Sequence, residues 1–135
     1  MIKYVLGFMF SEDMESVALI LKNRPKWQAG LLNGIGGKVE PNESYMQAME
    51  REFKEETGSN IPAHWVNFAT IAGIDYQMEC FVAIGDVNLL ETTTDEPIMI
   101  VEVVKLHTLT LMHNLRWLIP LALDKSIYHC QIQTT

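Results

Sequence analysis

Glu43, Arg51, Glu52, Glu55 and Glu56 crowd one short stretch of the chain, and their spacing is that of a helix. Glu43–Thr57 is rich in helix formers, with Pro41 and Asn42 marking its start and Gly58 its end. At about 100° per residue, Met46, Met49 and Phe53 fall within roughly 60° of one another and form an apolar stripe. Glu52 and Glu56 lie i,i+4 beside that stripe, and Glu55 flanks them, so the three carboxylates share an arc of about 100° next to the buried face. Like charges so placed destabilise a helix by a few tenths of a kcal/mol per pair, and divalent cations bound by carboxylate oxygen would offset this. Arg51 precedes Glu55 by four residues and can fix its rotamer, while Glu43 is placed to support Arg51 or the helix start. The competing reading of the acidic stretch alone is a solvated helix face with incidental pairs.

The elements that must carry this helix follow from the rest of the pattern. Val5–Phe10 and Val17–Leu21 are apolar, rich in strand formers and separated by polar residues, which predicts a hairpin. Arg24–Gly37 carries Pro25 and the punctuators Gly30, Asn33, Gly34, Gly36 and Gly37, a loop with short extended pieces. Strands are expected at Val66–Ile71, Glu79–Ile84 and Ile98–Val104, and a second helix over Asn114–Leu123 despite Pro120. Strands, helix, strands, helix imply an α/β fold, a mixed sheet packed between helices in a single domain over residues 1–135.

Composition narrows the function. The 135 residues suit one core, and 48% apolar with 20% charged content is that of an ordinary globular protein. No apolar run approaches the ~20 residues of a bilayer span, and the amino terminus lacks the pattern of a secretory signal. Cys80 and Cys130 are isolated, as expected of reduced thiols in a reducing, cytoplasmic setting. A net charge of −7 argues against a nucleic-acid polymer as partner. It leaves room for a small polyphosphate, since a bound metal reverses the local field.

Gly37, Glu43 and the run Arg51-Glu52-Phe53-Lys54-Glu55-Glu56-Thr57-Gly58 keep a fixed spacing. Together they resemble the Nudix box, GX5EX7REUXEEXGU (U a bulky aliphatic residue), over residues 37–59. Ser59 stands where the last aliphatic residue belongs, and Phe53 is an aromatic variation at the first. The resemblance implies an α/β/α Nudix fold and a hydrolase that uses Mg²⁺ or Mn²⁺ to split a nucleoside diphosphate derivative. Carried over, Glu52, Glu55 and Glu56 would be metal ligands, with a backbone carbonyl of Gly36 or Gly37, while Arg51 and Glu43 would orient them. Glu55 and Glu96 are the general-base candidates. Glu96 lies in Thr94-Asp95-Glu96-Pro97, similar to the family's downstream acidic turn, and is also a candidate metal contact.

Leu32–Val39 resembles the segment before the box in enzymes that hydrolyse (deoxy)nucleoside triphosphates to monophosphate and pyrophosphate, oxidised purines included. That makes Asn33 a base contact, Gly36 and Gly37 close neighbours of phosphate, and Lys38 and Arg24 phosphate contacts. Asn33-Gly34 also reads as a tight turn needing positive φ. Tyr76, seventeen residues past Ser59, has a spacing seen in dinucleoside polyphosphate hydrolases, the alternative substrate class. A nucleotide-binding module without catalysis is the alternative outside enzymes. Trp27, Trp65, Trp117 and Phe68 are large enough to stack on a base; Trp117 is expected in the core. The four histidines share no ligand spacing. Homodimers are common in the family, but no exposed apolar stripe argues for one.

Overall fold

A computed structural model describes residues 1–135. Its centre is β1 (Ile2–Phe10), whose residues Val5 to Phe10 are all buried. A strand enclosed on both faces needs apolar side chains on both, which is why this run does not alternate. β2 (Ser16–Leu21) folds back on it through the expected hairpin, in register at Met9–Ala18 and Phe10–Val17. The loop that follows supplies β3 (Leu32–Asn33) and β4 (Ile35–Lys38) as its short extended pieces.

α1 (Tyr45–Thr57) comes next. Its N-cap is Ser44, two residues after Asn42: the Ser44 side chain accepts from the Gln47 N–H, and the Gln47 side chain accepts from the Ser44 N–H. This capping box satisfies two N–H groups that lack helical partners. Gly58 ends the helix with φ 61°, a left-handed conformation that glycine adopts without strain. The buried face differs in one respect from the predicted stripe. Met49 and Phe53 are buried with Ala48 and Thr57, whereas Met46 is exposed and Tyr45 packs against the cluster at that end of the helix instead. Ser59 is buried yet satisfied: its N–H donates to the Thr57 hydroxyl and its own hydroxyl accepts from the Ile61 N–H.

β5 (Val66–Ala72) and β6 (Tyr76–Ile84) extend the sheet, followed by β7 (Ile98–Glu102), α2 (Leu115–Leu123) and β8 (Cys130–Gln133). β7 stops two residues short of expectation because Val103–Thr108 turns into 3-10 helix. β8 was not expected; Cys-Gln-Ile-Gln is short and polar, and it becomes a strand by pairing parallel to β5. The sheet runs β3-β2-β1-β6-β5-β8, with β4 also on β1 and β7 on β2. β1 and β6 run parallel over their full lengths, and most other pairs are antiparallel, so the sheet is mixed.

Two apolar clusters flank the sheet. Phe8, Phe10, Leu19, Leu115, Leu118 and Ile119 belong to the one under α2, and Val5, Met9, Ile20, Met49, Phe53 and Trp65 to the one under α1. This is the single α/β/α layer arrangement expected from the order of elements. No helix is long and apolar enough to cross a membrane.

Candidate active site

Arg51 is the hub of the acidic helix. Its Nε and Nη2 donate to the two carboxylate oxygens of Glu43 at 2.7 and 3.0 Å, a bidentate pair. Nη1 donates to Glu52 at 2.9 Å and Glu55 at 3.2 Å, and Nη2 also reaches the Lys38 carbonyl at 3.0 Å. The guanidinium thus ties α1 to β4 and aligns two of the three carboxylates. Glu43 is held below the usual carboxylate range, chiefly by the Arg51 hydrogen bonds.

β4 lies against this cluster at glycine distance. A Cβ on Gly36 would stand 2.0 Å from the Val5 carbonyl oxygen, and one on Gly37 would stand 2.3 Å from Glu52 Oε1. Only bare backbone lets the strand approach β1 and the helix so closely. The Gly36 N–H donates to Glu56 at 3.1 Å. Glu56 has no cation within ion-pair distance, and its carboxyl is pushed up to about 8, first by burial and then by Glu52. The Gly36 N–H and Lys22 pull the other way. Glu52 is also raised, first by burial, against the opposing pull of Arg51.

Two half-buried carboxylates raised by shared burial and mutual repulsion form a donor set that suits a hard divalent cation. No three acidic, histidine or cysteine side chains converge within metal-binding reach as they stand. Arg51 accounts for this, since it holds Glu52 and Glu55.

On the other side of β4 opens a cleft of about 750 Å³, within the range of small-molecule sites. It is lined by Lys22, Trp27, Gln28 and Asn33, by the strand residues Tyr4, Leu6, Ile71, Tyr76 and Met78, and by Met112, His113, Asn114 and Trp117 around the start of α2. Gly36, Gly37 and Lys38 line it too, so β4 is shared by the cleft and the acidic helix.

The expected substrate residues divide on this geometry. Asn33 lines the cleft, its amide donating to Gln28 at 3.3 Å and its oxygen accepting from the Gly34 N–H at 2.8 Å. It sits in β3, and Gly34 has no positive φ, so the tight-turn reading fails. Lys38 lines the cleft. Arg24 does not: its exposed side chain pairs with Asp95.

Glu96 is buried and engaged by Lys22 at 2.9 Å and by the N–H groups of Asn23 and Arg24 at 2.8 and 3.2 Å. Trp117 is 36% exposed on the cleft wall, not in the core, because Leu118 and Ile119 take the inward face of α2. Trp27 is exposed and also lines the cleft. Trp65 and Phe68 are buried and cannot meet a ligand in the cleft; Trp65 packs edge-on to Phe53 at 5.3 Å.

Sequence reasoning passed over Lys22, which follows an apolar strand and carries no signal of its own. The Asn114 side-chain oxygen is buried and has no hydrogen-bond partner.

The NUDIX domain profile matches residues 3–117 of the chain. The CTP pyrophosphohydrolase of Escherichia coli (strain K12) is 52% identical over 42 residues, which is 30% of this chain and 31% of that protein. The chain therefore matches about a third of that relative's length. The fold is similar to MutT of Aliivibrio salmonicida and Vibrio cholerae, with TM-score 0.76 at 22% identity over 90% of this chain and 96% of the other. It is also similar to the NUDIX domain of Shewanella oneidensis NrtR complexed with ADP ribose, with TM-score 0.74 at 18% identity over 89% and 84% of the two chains. MutT from Methanosarcina mazei Go1 gives TM-score 0.60 at 26% identity over 85% and 87%. Both the box of carboxylates on α1 and the profile across most of the chain lead to one assignment: this protein belongs to the Nudix family of hydrolases.

Proposed function

We propose that the protein is a Mg²⁺- or Mn²⁺-dependent pyrophosphohydrolase that converts a (deoxy)nucleoside triphosphate to the monophosphate and pyrophosphate. The observation that carries this reading is the shared strand β4. It places a cleft lined by aromatic side chains beside Glu56, a half-buried carboxylate with no cation in ion-pair distance.

Glu52, Glu55, Glu56 and the Gly36 carbonyl are the groups that would hold metal. When bound, the metal supplies charge neutralisation at the bridging phosphate oxygens and lowers the pKa of the attacking water. Arg51, braced by Glu43, keeps Glu52 and Glu55 aligned. Glu55, the most open of the three, takes the water's proton. Glu96, which accepts from Lys22 and from the N–H groups of Asn23 and Arg24, is the second candidate for base and metal contact. Gly36 and Gly37 let the phosphates approach backbone, Lys38 meets them at the rim, and Asn33 faces the base.

Tyr76 is the one feature that favours dinucleoside polyphosphates, since it lines the cleft; its hydroxyl is committed to Thr134 at 2.8 Å. Two unpaired thiols, one fully buried, support a cytoplasmic setting.

The test is pyrophosphate and phosphate release with Mg²⁺ and with Mn²⁺ across the nucleoside triphosphates, CTP among them, oxidised forms, ADP-ribose and dinucleoside polyphosphates. Pyrophosphate release from a triphosphate is the expected result. Cleavage of dinucleoside polyphosphates alone would shift the assignment to the Tyr76 class. Silence across the panel would make the protein a binding module.

A further inference from the structure

We propose that residues 91–93 clamp the last turn of α1 from outside the helix, and that Thr93 is thereby a positioning residue for the carboxylates of Glu55 and Glu56. The inference rests on the metal reading above and adds to it a residue that lies outside the acidic helix.

The last turn of α1 is built against its own electrostatics. A helix C-terminus carries partial negative charge and leaves its final carbonyls without helical partners. Glu55 and Glu56 add two carboxylates there, and Lys54 is the basic residue in that turn. Glu52 repels Glu56 from one turn back. Arg51 holds Glu52 and Glu55 but makes no pair with Glu56. Glu56 is met by the Gly36 N–H, and otherwise its position follows the backbone of the turn.

That backbone is held by a distant segment. The Lys54 carbonyl accepts from the Gly58 N–H at 2.9 Å, within the helix end itself. The Glu55 carbonyl instead accepts from the Thr93 hydroxyl at 2.6 Å, and the Thr57 carbonyl from the Glu91 N–H at 3.0 Å. These two bonds bracket Glu56. The approach is close: a Cβ on Gly58 would stand 2.7 Å from Thr93 Cγ2, so glycine here admits the segment as well as ending the helix. The segment is itself fixed. Leu90 packs against the apolar cluster under α1. The Thr92 and Thr94 hydroxyls accept from the N–H groups of Ile98 and Glu96 at 3.0 and 3.1 Å. Of three consecutive threonines, the outer two fold the turn and the middle one reaches the helix. A helix end with open carbonyls and like charges frays; the clamp keeps Glu55 and Glu56 at one register against β4.

The experiment reads Mn²⁺ affinity by calorimetry and, on protein in chelator, hydrogen exchange of the α1 amides. Thr93→Val keeps the branched shape and removes the hydroxyl. It is expected to weaken Mn²⁺ binding about threefold or more, the scale of one hydrogen bond, and to speed exchange of the amides of Glu55 to Gly58. Thr93→Ser should keep both near wild type. Ser44→Ala, which loosens the opposite end of the helix, should leave Mn²⁺ affinity within about twofold. Unchanged Mn²⁺ binding in Thr93→Val would overturn the positioning role. An equal loss in Ser44→Ala would mean that general helix stability sets the affinity, and would overturn it too. A wild type that binds no Mn²⁺ would count against the metal reading; exchange would still decide the clamp, and unchanged exchange in Thr93→Val would remove it.

Discussion

At the scale of residues, the acidic helix is organised by one guanidinium and left unbalanced at one carboxylate. Arg51 compensates Glu43, Glu52 and Glu55, whereas Glu56 meets only the Gly36 N–H among direct partners. Glu56→Gln keeps the shape and removes an anionic oxygen donor. It is expected to lower kcat by at least ~100-fold with the fold intact, as loss of a metal ligand does. Steady-state kinetics beside a circular dichroism spectrum checks this, and near-normal turnover would end the metal assignment for Glu56. Its role was legible from spacing alone, because i,i+4 carboxylates next to an apolar stripe share a face in any helix. The Lys22–Glu96 ion pair was not, because the two residues lie 74 apart in sequence.

At the scale of elements, α1 is held between a capping box and a left-handed glycine. Its register against β4 decides where the carboxylates lie. Ser44→Ala removes the side-chain acceptor for the Gln47 N–H and is expected to cost about 1 kcal/mol. For a domain of this size that corresponds to a Tm lower by roughly 3–5 °C. The substitution lies at the far end of the helix from Glu56, so kcat at moderate temperature should change little. Thermal unfolding by calorimetry decides the point, and an unchanged Tm would mean that the box contributes nothing.

At the scale of the whole molecule, stability and metal binding are linked. A cation held only by the folded site stabilises by RT ln(1 + [L]/Kd), about 2.7 kcal/mol at a hundred times Kd. Saturating Mg²⁺ should therefore raise Tm by roughly 5–10 °C over protein in chelator. Glu56→Gln should lose most of that rise. A Tm that ignores Mg²⁺ in the wild type would argue that the carboxylates form a solvated acidic face after all. α1, which carries the carboxylates, is packed into the fold through Met49 and Phe53.

The sequence by itself determined what depends on local periodicity. The acidic face of α1, the glycine stop at Gly58, the hairpin of β1 and β2 and the layered α/β plan all follow from residue types at fixed short spacings. Tertiary structure decided what depends on contacts between distant segments. β8 exists as a strand only because β5 offers it a parallel edge. Trp117 faces the cleft because Leu118 and Ile119 claim the core side of a short helix. Met46 lies outside the core because Tyr45 takes the inward position in the first turn of α1. Arg24 pairs with Asp95 and does not line the cleft, whereas Lys22 does. In each case the side chain has two chemically acceptable fates, and only the partner brought near by the fold selects between them.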